Sequence, residues 1–309
     1  MATNSQISTG LGFLVLAAVG AVAVLASAQR RHSEKPALPS PQPISPQHHA
    51  AQKINLASSL LAGAVLADSA VEHYRGSFHN KAMYLPLAIS AQTLVADLHG
   101  ISARDGGDDL RRKASHQLAV VNGAAGLGFH LYNIAKRPGG ISWLNLFYAA
   151  PFGAPAALSL SGLFGLLGER IRAGGPAIRG VMPSRLTAWL TAAGLVGTAG
   201  EAALMHFRGA YHNPAMAIPV TLPPVAAALL AGVTVKPCLA TPARWSLRLL
   251  VAVGFIGSAF HAYGVQRNMG GWRNWSQNLL NGPPLPAPPA FTALATAGLA
   301  ALDLIERKG

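Results

Sequence analysis

The sequence predicts an all-α polytopic membrane protein of about nine transmembrane helices: an N-terminal anchor helix followed by two tandem parallel four-helix repeats. Three observations lead to this prediction. Hydrophobic residues make up 51% of the chain and charged residues only 11%, against roughly 25% charged in soluble domains. Apolar stretches near the roughly 20 residues that a spanning helix needs recur along the chain. A histidine-containing phrase also occurs twice, beginning once at His73 and again at His206.

The nine apolar stretches are separated by short polar or basic segments. The third, residues 83–98, is the weakest, because it is short and contains Pro86, Gln92 and Asp97. Its counterpart in the second half, 214–235, supports it. The predicted spans are 7–28, 54–72, 83–98, 117–135, 146–168, 186–206, 214–235, 245–264 and 284–305.

Two repeated phrases indicate a tandem duplication. Residues 73–90 and 206–223 share eight identities in eighteen positions, including both histidines of each copy. A second phrase, Phe-His-x-Tyr, occurs at 129–132 and again at 260–263. We therefore divide the chain into a transmembrane anchor (1–28), a Pro-rich linker (29–52), a first four-helix repeat (53–172) and a second four-helix repeat (183–309).

The basic residues predict the orientation of the chain. A net charge of +13 would indicate nucleic acid in a soluble protein, but here the basic residues lie between apolar spans, where they set topology, so no nucleic-acid partner is expected. One side of the predicted membrane holds 17 basic residues and the other holds 7. This bias favours a multi-pass protein of the cell inner membrane with its N-terminus outside and its C-terminus in the cytoplasm. The first span lacks preceding Lys or Arg, which favours an uncleaved anchor over a signal peptide.

The repeated histidines are candidate metal or haem ligands. With four spans in each half, both halves cross the membrane in the same sense, so the repeated motifs share the outer side. His73, His130, His206 and His261 lie at outer helix ends and could form a ring or two facing pairs; the sequence does not choose between these. Imidazole suits copper, zinc and iron, and helix-borne histidines that face one another suit axial haem ligation.

The turn after each first repeat helix contributes further candidates. Gly76 and Gly209 are expected to take positive φ at a helix end, while Asn80 and Asn213 are expected to cap the next helix, with Pro214 at its first position. His79 and His212 precede these caps. Met83 and Met216 follow them by about one turn and are candidate soft ligands, which would favour copper.

Acidic and basic residues recur beside the histidines. Asp68 and Glu201 lie five residues before His73 and His206, inside apolar helices, where a carboxylate is costly and marks a functional site by default. We expect them to orient the ligands or to carry protons. Arg75 and Arg208 could bind an anionic group such as a propionate, or could form structural pairs.

These patterns favour a pseudo-symmetric, His-rich site at the periplasmic face that binds haem or copper for electron transfer or oxidation. One alternative is a transporter of a small solute or metal ion, and another is a scaffold subunit of a membrane redox complex. The histidines and aromatic rings could also form an interfacial belt with structural turns. The expected partners are the lipid bilayer and a periplasmic or membrane redox protein. The sequence assigns no catalytic residue and does not decide whether the protein is an enzyme.

Overall fold

The computed structural model describes residues 45–103, 109–268 and 270–307. Across these residues the regular secondary structure is helical, and the β-structure is one isolated bridge between Ile178 and Val181. The predicted anchor at 7–28 and most of the predicted linker lie outside the described residues.

Over the described residues, eight long α-helices and two short ones follow one another. Each half has a long helix, a tight turn, a second and a third long helix, a short helix and a fourth long helix. In chain order they are α1 (Pro46–Arg75), α2 (Leu85–Ser102), α3 (Leu110–Ala135), α4 (Trp143–Phe147), α5 (Gly153–Arg172), α6 (Pro183–Arg208), α7 (Ile218–Val233), α8 (Ala240–Asn268), α9 (Trp275–Asn281) and α10 (Pro289–Glu306).

In the part of the chain that the structure describes, five helical stretches are long and apolar enough to cross a membrane, which confirms the prediction of a helical, multi-pass membrane protein. They are Pro46–Arg75, Leu110–Ala135, Pro214–Val233, Pro237–Arg267 and Pro289–Glu306. The outer helices α3 and α8 expose large apolar side chains, among them Val121 and Phe255. Such continuous apolar surface is unusual on a soluble monomer and normal against lipid.

Helices α1, α5, α6 and α10 form the centre of the bundle. Helix α1 packs against α5 and α10, and α6 packs against the same two helices. The hairpin α2–α3 flanks α1 and α5, and the hairpin α7–α8 flanks α6 and α10. The core combines many buried alanines with Leu61, Phe164, Leu195 and Leu294. Small residues let the helix backbones approach closely, which is how helices associate in a membrane.

Neighbouring helices run antiparallel, so the repeated histidines lie at one end of the bundle. The Gln52 side chain donates to the Ile101 carbonyl near the start of α1, whereas His73, near the end of α1, binds the Met83 carbonyl. The Glu201 carboxylate, near the end of α6, accepts a hydrogen bond from the first residue of α5, Gly153. We call the end where α1 and α6 finish the histidine end, and the other the opposite end.

Helix α1 begins inside the segment that the sequence predicts as a linker. Its first residue is Pro46, and the hydroxyl of Ser45 accepts a hydrogen bond from the His48 backbone N–H. Proline suits this position because a first-turn N–H has no partner within the helix. The last proline of the Pro-rich segment, Pro46, therefore marks the start of a helix.

The turns after α1 and α6 share an unusual backbone conformation. Asn80 and Asn213 cap the following helical turns as predicted, each accepting from an N–H two residues on at 2.9 Å. The prediction of positive φ at Gly76 and Gly209 was wrong: their φ angles are −80° and −83°. Positive φ falls instead on the next two residues of each copy: Ser77, Phe78, Ala210 and Tyr211.

These glycines have a different role, which is to make room. A Cβ atom on Gly76 would lie 3.1 Å from the terminal methyl of Met83, and one on Gly209 would lie 3.4 Å from that of Met216. The absence of a side chain therefore lets each methionine fold over its own turn.

Candidate functional site

Three of the four helix-end histidines are held by a hydrogen bond from Nδ1 to a backbone carbonyl. His73 binds the Met83 carbonyl at 2.6 Å, His206 binds the Met216 carbonyl at 2.9 Å, and His261 binds the Pro284 carbonyl at 2.9 Å. Because a carbonyl can only accept, Nδ1 carries the proton, and in the neutral ring Nε2 keeps its lone pair. This is the tautomer that histidine uses when Nε2 binds a metal.

The fourth histidine, His130, occupies the matching position in the first half. Its ring lies beside the carbonyls of Ala150 and Pro151, but its buried Nδ1 has no well-formed hydrogen bond to either. Pro151 is the counterpart, in the first half, of Pro284, the residue that holds His261. The surroundings of His130 and His261 are thus related, although only His261 completes its hydrogen bond.

The histidines interact in two pairs, each within one half. His130 interacts electrostatically with His73, and His261 interacts electrostatically with His206. All four rings are half-buried. We name these the first pair, His73 and His130, and the second pair, His206 and His261. The ring and the two facing pairs that the sequence leaves open both stay predictions.

The turn histidines and methionines are engaged locally. His79 and His212 are exposed, and each binds the carbonyl three residues back, Gly76 or Gly209, at 3.1 Å through Nδ1. Met83 and Met216 present their backbone carbonyls to the pairs and their side chains to the turn glycines. These contacts support the turns themselves, and they do not direct the thioethers toward the histidine pairs.

Each predicted anion-binding arginine reaches across to the other half. Arg75 donates to the carbonyl of Gly282 at 2.8 Å, and Arg208 donates to that of Ala149 at 3.5 Å. Gly282 lies as many residues after Ala149 as Arg208 lies after Arg75, so Gly282 and Ala149 occupy matching positions in the two halves. Arg208 also lies over the Phe147 ring, 5.3 Å from its centroid. These contacts tie the two halves together, which is the structural role weighed for these residues.

The two predicted acids differ in their surroundings. Glu201 accepts from the Gly153 N–H at 2.8 Å and so caps α5, whose positive N-terminal dipole favours a carboxylate. A side chain on Gly153 would overlap this carboxylate. Asp68 interacts electrostatically with Glu72, one turn further along its own helix, and with Glu201 of the other half. The start of α10, which matches the start of α5, is rich in proline. Proline has no backbone N–H, so these residues cannot donate to Asp68 in the way that Gly153 donates to Glu201.

A site that the sequence did not predict lies toward the opposite end, between α1, α2, α3 and α5. Its buried side chains are joined by hydrogen bonds and ion pairs or packed against one another, and we call them the polar cluster: Asn55, Ser58, Asp97, Arg112, His116, Ser161, Glu169 and Arg172.

Asp97 and His116 form the centre of the polar cluster. His116 Nε2 lies 3.0 Å from one Asp97 oxygen, and the Ser58 hydroxyl donates to the other at 2.6 Å. Both Asp97 and His116 are fully buried. Nearby, Arg112 donates to Glu169 at 2.8 Å, and this ion pair is also almost wholly buried.

The second half has apolar residues at the corresponding positions. The positions that match Asp97 and His116 are Leu230 and Leu247. The packing supports this match, because Gly165 lies against the His116 ring, whereas its counterpart Gly298 lies against Leu230 and Leu247. A comparison of the two halves for positions where they differ in polarity would have revealed the cluster from sequence.

Metal-ligand geometry limits what the described residues can bind unaided. Among the residues that the structure describes, no group of three or more His, Cys, Asp or Glu side chains could hold a metal ion. Within the described residues, a centre at either histidine pair would therefore have at most two ligands of these types. No protein-family model, curated protein or solved structure matches this chain.

Proposed function

We propose that this chain is an inner-membrane protein that binds haem or copper at its two histidine pairs, for electron transfer or oxidation. The observation that carries the proposal is the Nδ1 hydrogen bond of His73, His206 and His261 to a carbonyl. It orients each ring and leaves Nε2 available as a ligand.

The proposal includes the arrangement in the membrane. In it, nine helices cross the bilayer: the anchor at 7–28 and eight helices in two parallel four-helix repeats. The histidine end faces the periplasm, in keeping with the excess of basic residues on the opposite side. The same contacts recur at matching positions of the two halves, which supports the repeat. His73 and His206 each bind the backbone carbonyl of the methionine ten residues on, and Arg75 and Arg208 each donate to a carbonyl of the other half.

Two ligands in each pair favour haem over copper. A porphyrin supplies four nitrogen ligands to its iron, so two axial imidazoles complete the site, whereas a copper ion needs further protein ligands. The side chains of Met83 and Met216, the candidate thioether ligands, fold over the turns. When bound, haem would supply the one-electron chemistry, and the chain would supply the two imidazoles and their orientation.

Optical spectroscopy of the purified protein tests this proposal. Wild-type protein extracted in detergent without chelator is expected to show the intense visible absorption of haem, and the His73→Ala/His206→Ala variant is expected to lose it. The matched control is His79→Ala/His212→Ala, which removes two exposed turn histidines and should keep the spectrum. Wild-type protein that is folded, metal-free and colourless would refute the proposal.

A transporter is the second candidate, and one observation favours it. Asp68 and Glu201 lie in different halves, in central helices, yet they interact with each other. Carboxylates at the boundary of parallel repeats are typical of cation-coupled transporters. Uptake of a cation into vesicles that depends on Asp68, with Asp68→Asn as the variant, would favour this function over the haem proposal.

A further inference from the structure

We propose that Asp97 and His116 together bind one exchangeable proton, supplied through bound water from the opposite end of the bundle. This site is separate from the histidine pairs and belongs to the first half alone. It rests on the geometry of the polar cluster and holds whether or not the chain binds haem.

The first step of the argument is that several buried polar atoms of the cluster need a small partner. His116 Nδ1, both side-chain polar atoms of Asn55, and Glu169 Oε1 are buried without a hydrogen-bond partner in the protein. Asn55, His116 and Glu169 are at most 1% exposed. Buried polar groups are almost always satisfied by protein or by ordered water. The small partner that we propose for these atoms is bound water.

The second step is that these atoms share one region. Asn55 packs between Gly100 of α2 and Gly168 of α5, in the space that side chains on those glycines would fill. His116 packs on Gly165, one turn before Gly168 along α5. Asp97, which binds His116, lies one turn before Gly100 along α2. Water bound near Asn55 is therefore adjacent to the Asp97–His116 pair.

The third step is the balance of charge around the pair. The facing charged groups are Arg112 from α3 and Glu169 and Arg172 from α5, with Asp109 at the rim 3.2 Å from Arg112. Helix α1 contributes the neutral Ser58 and Asn55. These groups together with Asp97 contain three carboxylates and two guanidinium groups. One proton on the Asp97–His116 pair brings this set to neutrality.

The fourth step is a route to solvent. Asp97 interacts electrostatically with Glu169, which pairs with Arg112. Arg112 in turn contacts the ring of His99, whose side chain is 59% exposed. Charged and hydrogen-bonding groups thus lead from the buried pair to the surface at the opposite end. Before uptake, the neutral imidazole of His116 donates to the Asp97 carboxylate from Nε2. The incoming proton, relayed from solvent through bound water, is taken by Nδ1, and the pair becomes an imidazolium beside a carboxylate.

The second half provides the design of the test. Asp97→Leu/His116→Leu installs the residues found at Leu230 and Leu247, which are buried in the same packing environment. Proton uptake by purified protein is measured by potentiometric titration between about pH 8 and about pH 5, the range in which histidine changes charge. Wild type is expected to take up about one proton more than this variant.

Two further variants complete the experiment. His79→Ala removes an exposed histidine outside the polar cluster and serves as the control for the loss of one histidine elsewhere in the chain. Asp97→Asn keeps the size of the side chain and, by removing the carboxylate, is expected to abolish the uptake at His116. If the double leucine variant is not monodisperse, the Asp97→Asn comparison decides the question. Equal uptake by wild type and by the folded Asp97 variants would show that the pair holds its protons permanently, and would overturn the proposal.

Discussion

Adding one methyl group to Gly165 of α5 should disrupt the polar cluster. A Cβ atom at this position would overlap the imidazole of His116, which is fully buried and bound to Asp97 at 3.0 Å. The ring cannot swing into solvent, so either α5 moves or the hydrogen bond to Asp97 breaks. Overpacking a core costs about 1–3 kcal/mol, and a broken buried hydrogen bond costs about 1–3 kcal/mol more. We therefore expect Gly165→Ala to destabilise the protein by about 2–6 kcal/mol.

Two other glycines serve as matched controls. Gly298 is the counterpart of Gly165, and a Cβ atom there would lie 3.0–3.1 Å from methyl groups of Leu247 and Leu230, which can shift slightly. Its alanine variant should lose at most about 1 kcal/mol. Gly197 of α6 has no atom within 4 Å of the added Cβ, so Gly197→Ala should be neutral or should gain up to about 1 kcal/mol from helix propensity.

The assay is unfolding of the three variants in mixed micelles, followed by circular dichroism as the fraction of denaturing detergent rises. The order of stability expected is Gly197→Ala, then Gly298→Ala, then Gly165→Ala. If Gly165→Ala is as stable as Gly298→Ala, His116 does not pack against α5 as described, and the reasoning about the polar cluster fails.

Three more predictions concern single positions. Ala210→Gly should stabilise the protein by about 1 kcal/mol, because Ala210 has a φ of 55°, which glycine adopts more easily than alanine. The control, Ala203→Gly inside α6, should cost about 1 kcal/mol. The same unfolding assay measures both variants. Asp109→Ala should cost about 1 kcal/mol by removing the cap of α3. Burial alone would raise the pKa of Asp109, but hydrogen bonds from the backbone and the charge of Arg112 outweigh it and hold this pKa below its usual value. The stability that the Asp109 cap contributes is therefore present at neutral pH and is lost as the pH falls through the lowered pKa. Unfolding curves recorded at a series of pH values would show this loss. An equal effect of Asp109→Ala at all pH values would contradict the prediction. Glu169→Leu should cost about 3–5 kcal/mol in the same assay, since it removes the buried carboxylate that pairs with Arg112 and leaves this guanidinium with Asp109 at the rim. An effect below about 1 kcal/mol would show that the Arg112–Glu169 pair is solvated.

Much of the helical organisation could be predicted because it depends on local composition. Apolar stretches bounded by basic residues locate the long helices, and Asn80 and Asn213 cap the turns as their side chains dictate. The φ of Gly76 could not be predicted in this way. A glycine after a helix can be required for positive φ or for close contact with another side chain. Gly76 serves the second purpose, because Met83 packs against it, and the positive φ falls on Ser77 and Phe78.

The candidate site shows a similar division. Duplication singled out the four helix-end histidines, but sequence alone could not show that each interacts with a partner in its own half. Whether they bind a metal remains a prediction, as does the count of nine spans. No single motif marks the polar cluster, because Ser58, Asp97, His116 and Glu169 are on four different helices. Its sequence signal is the difference in polarity between matching positions of the two halves.

The most direct test of the proposed function is the number of iron and copper atoms per chain in four proteins purified in detergent without chelator. If each pair binds one metal centre, wild type carries about two per chain and His73→Ala/His130→Ala carries about one. The variant that lacks all four helix-end histidines carries none, and His79→Ala/His212→Ala keeps the wild-type value. A folded wild type without metal, or a metal content unchanged when all four histidines are removed, would contradict the proposal.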